Sequence, residues 1–112
     1  MTLTPAQKDA LATFCEMTRI DDDPIKLPCY KRRDGMCIRD CFWQPDQSRD
    51  DCWPIIQRIE ELRLWTLFRS TIAVRDWLLN HNGTWAEIYM MMPPSVIVAA
   101  VLEMIEAKGG VK

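Results

Sequence analysis

The sequence predicts a small, mainly α-helical domain with an irregular, cysteine-bound loop segment. Three observations predict it. Capped apolar stripes with helical spacing lie at both ends of the chain. No stretch alternates with a period of two. Four of the five cysteines, Cys29, Cys37, Cys41 and Cys52, gather between polar turns. A chain of 112 residues has room for one domain with one core of ordinary size. Within it we distinguish an N-terminal helix (1–23), a cysteine-rich loop segment (24–53) and a helical unit (54–112). Hydrophobic residues at 48% and charged residues at 27% give a globular rather than a disordered profile.

The first helix is signalled by Thr4, Pro5 and Gln7: a threonine cap, proline at the first helical position and glutamine to complete a capping box. Ala10, Leu11, Phe14, Cys15 and Thr18 follow with the spacing of one helical face, and Cys15 reads as core. Asp21, Asp22 and Asp23 would repel the negative end of that helix, so it should stop near Thr18 or Arg19. Pro24 and Pro28 keep the next stretch extended, and residues 24–52 show little periodicity. Pro54 suits the first turn of a helix carrying Ile55, Ile56, Ile59, Leu62, Trp65 and Phe68, interrupted at Ser70 and Thr71. Ile72, Val74, Trp77 and Leu78 then resume the stripe, as one long helix or as two joined near Ser70. Trp65 and Trp77 read as core. Asn80 to Gly83 end that helix, which leaves His81 as an exposed bystander. Thr84 to Glu87 cap a short helix that ends around Met90 to Met92. Pro93 and Pro94 break the chain, and Ser95 caps a last helix from Val96 to about Lys108. No strand is expected anywhere.

The formal net charge is −2, so the chain as a whole does not attract nucleic acid. Lys31, Arg32, Arg33 and Arg39 nevertheless concentrate positive charge within the cysteine segment. The N-terminus lacks the basic and apolar regions of a signal peptide, and no apolar run nears the roughly 20 residues that span a bilayer. The expected location is cytoplasmic, where thiols stay reduced, and no membrane partner is expected.

Reduced thiols shift weight from disulfides toward ligation. The spacing is C-x7-C-x3-C-x10-C, and only Cys37 and Cys41 fall within the range of a zinc knuckle. Thiolates suit zinc and iron–sulfur clusters alike, and neighbouring aromatics and cations would shield and neutralise a cluster. A bound zinc or iron–sulfur cluster held by Cys29, Cys37, Cys41 and Cys52 would replace the core that residues 24–52 cannot build. Two alternatives stay open, disulfides and buried unligated thiols.

The run from about Thr71 to Val111 resembles a helix-turn-helix of the winged-helix type. A first helix carries Ile72, Val74, Trp77 and Leu78; the turn at His81 to Gly83 leads to the short helix from Thr84; and Val96 to Lys108 takes the recognition-helix position. The exit through Lys108, Gly109 and Gly110 resembles that of such modules, but the chain ends where the wing should begin. The resemblance implies DNA binding. The residues of the last helix argue differently: its polar positions are only Ser95, Glu103, Glu106 and Lys108, and Val96 to Leu102 are apolar on every side. Such a helix is buried, in its own domain or against a partner.

No nucleophile–base pair, phosphate-cradling glycine loop or metalloprotease signature is present, and no enzyme is expected. Two functions follow. The first is a small regulatory protein with a four-cysteine metal or iron–sulfur site, associating with DNA or the transcription machinery, its phosphate contacts made by Lys31, Arg32, Arg33 and Arg39. The second is a protein-binding module or inhibitor, of mobile-element or phage type, with structural cysteines. It would contact a partner, or a second copy, through its apolar last helix and methionine run: Met90, Met91, Met92, Val96 and Val101.

Overall fold

A computed structural model describes residues 3–20, 29–39, 42–81 and 91–107. The chain is mainly α, with a small antiparallel sheet near its N-terminal end. In order, the described elements are α1 (Pro5–Phe14), β1 (Thr18–Ile20), β2 (Cys29–Lys31), β3 (Cys37–Arg39), α2 (Arg49–Glu61), α3 (Trp65–Arg69), α4 (Ile72–Leu78) and α5 (Pro94–Ala107).

Helix α5 is the axis of the core. Its Ile97, Val98, Ala100, Val101, Leu102 and Met104 are buried, and it packs against α1, α2, α3 and α4. Each of its larger apolar side chains contributes about 1.5–3 kcal/mol by leaving water. The apolar last helix is therefore buried in its own domain. A helix enclosed in this way has no polar face to lay in a DNA groove. The sheet precedes α2 instead of following α5. The short helix and exit turn of the winged-helix resemblance fall in 82–90 and 108–112, outside the described residues.

Four boundaries differ from the sequence reading: α5 begins at Pro94, with Ser95 inside the helix instead of capping it, and three others differ for local reasons. Helix α1 keeps its expected capping box, with the Gln7 N–H donating to Thr4 Oγ1 and the Thr4 N–H to Gln7 Oε1. It ends at Phe14, earlier than expected, because Glu16 turns left-handed (φ 58°) and the Met17 N–H closes onto the Ala12 carbonyl at 2.8 Å. Helix α2 begins at Arg49 under a Ser48 cap, with Asp50 and Asp51 in its positive first turn. Pro54 is thus inside the helix. The carbonyl it leaves unpaired, that of Asp50, sits in the first turn on an exposed residue, where water can reach it. The helical stretch after Pro54 breaks twice. At Arg63 (φ 53°) the Leu64 N–H reaches the Ile59 carbonyl, and a second break follows at Ser70 and Thr71 as the sequence suggested.

The expectation of a strand-free chain is corrected by the sheet. β1 pairs with β2 (Thr18 with Lys31, Arg19 with Tyr30, Ile20 with Cys29) and β2 with β3 (Cys29 with Arg39, Tyr30 with Ile38, Lys31 with Cys37). A tight turn joins β2 to β3, with Gly35 at φ 89° and the Asp34 carboxylate accepting from the Met36 N–H. Alternation puts Arg19, Tyr30 and Ile38 on the inner face. Tyr30 is fully buried there, its hydroxyl donating to Asp9 of α1 at 2.6 Å, with Arg19 bonded to both groups. Its ring meets Trp43 edge-on at 5.2 Å, and the Trp43 indole N–H donates to the Asp51 carbonyl. The sheet is thereby fastened to α1 on one side and to the start of α2 on the other.

One carboxylate joins α4 to the core helix. Glu103 of α5 accepts from the N–H groups of Ile72 and Ala73, one per oxygen and both at 2.9 Å, while Thr71 accepts from Val74. The first donors of α4 are thus satisfied, and a negative charge meets the positive end of its dipole. Glu103→Ala should cost about 1–2 kcal/mol in urea unfolding, and Glu103→Gln less. An unchanged midpoint in both variants would contradict this role.

Candidate functional site

The four cysteines proposed as ligands are divided by the fold. Cys29 and Cys37 lie on the outer face of the hairpin, Cys29 half-buried and Cys37 exposed. They are diagonal neighbours, since Cys29 faces Arg39 and Cys37 faces Lys31. Diagonal positions lie about 7–8 Å apart, beyond the roughly 4.4–6.8 Å between α-carbons that a disulfide spans, so this register does not let them bridge each other. Cys41 lies outside the described residues.

Cys52 is elsewhere. It is fully buried on α2 within the main core cluster, and the thiol whose field it affects is Cys15, at the end of α1. Burial pushes both thiols up from 9.0 to about 12; for Cys15 the nearby Cys52 adds to the effect. Cys15 is core, as the sequence suggested, and Cys52 is its partner in that core. The described members of the expected donor set, Cys29, Cys37 and Cys52, are not gathered round one centre, because Cys52 faces the interior while Cys29 and Cys37 lie on the outer face of the hairpin. Among the described residues no group of three or more His, Cys, Asp or Glu side chains is placed to hold a metal ion.

Two of the four basic residues, Arg32 and Arg33, are matched by acids of the same chain. Arg33 forms a two-pronged pair with Glu61 (2.5 and 2.8 Å) and reaches Glu16 at 3.5 Å. Arg32 pairs with Asp34 at 3.2 Å. The hydrogen bond from Arg33 holds the Glu61 carboxyl below its usual range, and Glu61 in turn raises the Arg33 guanidinium. Arg58 completes this cluster, donating to the Phe14 carbonyl and to Glu16 (2.7 Å), which ties α2 to the end of α1. Lys31 and Arg39 remain on the outer face of the sheet, where Arg39 lies 5.9 Å from the Phe42 ring.

The expected protein-contact residues are divided as well. Met92 and Val101 are wholly buried in the chain's own core, and Val96 packs against that core. This corrects their assignment to an outward surface. Met91 is exposed, and Met90 lies outside the described residues. His81 is no bystander: it stacks on Trp77 at 3.9 Å, with Nδ1 2.8 Å from the Trp77 carbonyl.

Apolar side chains face water at several described places, among them Phe42, Met91 and the Ile72 and Leu79 pair beside α4; one such surface is a groove of about 580 Å³ on α2 and α3, lined by Arg33, Trp53, Ile56, Gln57, Glu60, Glu61 and Trp65. Trp53 is 54% exposed, although indole rings are among the side chains that gain most from burial. Trp65 packs edge-on against the buried Phe68 at 5.4 Å, and its indole N–H donates to Glu60, which fixes one wall. The sequence reading missed this groove because it followed the buried stripe of α2. The signal was present: Trp53 sits with Asp50, Gln57 and Glu60 at helical spacing, a large aromatic on an otherwise polar face.

Comparison with protein-family models, with curated proteins and with solved structures finds no match.

Two expectations follow for the thiols. A thiol-reactive disulfide reagent should modify Cys37 of the native protein rapidly and leave Cys15 and Cys52 untouched until unfolding; native-rate modification of either buried thiol would contradict their placement. Because their folded values are raised, the stability they contribute is fully present below about pH 9, where unfolded thiols stay protonated, and is lost as pH rises toward about 12. Urea unfolding across that window should show a fall in stability that becomes shallower in Cys15→Ala or Cys52→Ala. An equal slope in all three proteins would contradict it.

Proposed function

We propose that this protein is a non-catalytic protein-binding module that meets its partner through the groove of Trp53, Ile56 and Trp65. One observation carries the reading: a half-exposed tryptophan stands beside a fixed aromatic wall on a helix that could have placed a polar residue there. Exposed tryptophans that gain burial on association are frequent energetic centres of interfaces. The enclosure of α5 supports moving the contact surface away from the last helix, where the apolar sequence first suggested it. The neutralised basic turn supports protein over nucleic acid as partner.

A photo-crosslinking amino acid at position 53, used in extract of the native host, tests this. We expect a discrete protein adduct whose purified partner binds the unmodified chain and binds Trp53→Ala at least about tenfold more weakly. A partner that binds Trp53→Ala equally well, or no discrete adduct, would sink the reading.

A second reading rests on the outer face of the sheet, where Lys31 and Arg39 stand beside Cys29 and Cys37. Here the protein associates with DNA through backbone phosphates, with the loop held by the hairpin and its turn instead of by a metal. Affinity for duplex DNA should then fall steeply with salt, and the slope should lessen by about two when both Lys31 and Arg39 become alanine. A salt-insensitive or absent affinity removes this reading.

A further inference from the structure

The charges around the groove say what kind of segment fits it, provided that the groove is the contact surface proposed above. Along the exposed face of α2, Asp50 lies one turn before Trp53, and Gln57 and Glu60 lie one and two turns after it. Glu61 forms a further part of the rim. Among the described lining residues the one cation is Arg33, and its guanidinium is already held by Glu61 and Glu16. The acidic side chains at this surface therefore outnumber what its lining cation can offer to a ligand, and the floor between them is aromatic and aliphatic.

We infer that the groove binds a cationic amphipathic segment of a partner protein. An aliphatic or aromatic side chain of that segment sits between Trp53 and Trp65 over Ile56, and its flanking lysines or arginines face Asp50 and Glu60, since both oxygens of Glu61 are taken by Arg33. The indole face of Trp53 adds attraction for such a cation, because the ring quadrupole is negative above its plane. An anionic segment of the same apolar pattern meets like charge at Asp50 and Glu60 and loses both contributions.

Two short amphipathic peptides with the same leucine pattern, one carrying lysines and the other glutamates, separate the outcomes when titrated calorimetrically into the full chain. The lysine peptide should bind at least about tenfold tighter at low salt, with the preference shrinking as salt rises. Its binding should fall about tenfold or more in Trp53→Ala and persist in Trp53→Phe. Trp53 is half-exposed, so circular dichroism of both variants should match the parent. If both peptides bind equally and both need Trp53, the contact surface stands and the cationic preference is wrong. If neither shows binding that depends on Trp53, the groove itself is overturned as a contact surface. If light scattering shows a dimer that Trp53→Ala abolishes, the occupant is a second copy and the inference fails.

Discussion

The structure depends on the burial of one helix. Val96 to Leu102 place an apolar side chain at every position, so α5 has no face that water can solvate well. Among the described residues four other helices meet it, and their amphipathic stripes become interior because α5 is there to receive them. The polar exceptions on α5 are informative. Glu103, the first acidic residue of the helix, caps α4, and Glu106 lies beyond the enclosed stretch, where it is exposed. The domain is thus organised as a shell around its last helix, with the small sheet attached at one side through Tyr30 and Trp43.

That arrangement determines which surfaces remain for function. A helix used as an axis does not present Val101 to a partner, since that side chain is wholly buried in the chain's own core. The acids that accompany the basic turn act in the same direction: Glu16 and Glu61 bind Arg33 to the segment after α1 and to the end of α2, so Arg33, one cation of the basic run, serves as a fastening in the fold. Among the surfaces that stay outward is a groove whose main side chain, Trp53, belongs to the helix that Arg33 and Arg58 hold in place.

The helices were largely legible because their signals are local. The Thr4 capping box, the break at Ser70 and Thr71, and the apolar stripe of Ile55, Ile56 and Ile59 each need only neighbouring residues. The sheet was not legible, because strands of three residues are too short to show alternation. What holds Tyr30 in register is a hydrogen bond to Asp9, and its sequence separation hides it. The end of α1 was misplaced because a glutamate took the left-handed position usually given to glycine or asparagine. The cysteines misled for a related reason. Cys52 is close to Cys41 in sequence, but the start of α2 at Arg49 turns it into the core beside Cys15, and only the fold reveals that pairing.

Native-state hydrogen exchange tests the central claim most directly, since it ranks every amide by the opening that exposes it. The account predicts that the slowest amides belong to α5, from Val98 to Met104, and exchange only through global unfolding, while those of the β2–β3 hairpin exchange through smaller openings. If α5 exchanged as fast as the hairpin while α2 remained protected, the last helix would not be the axis on which this fold depends.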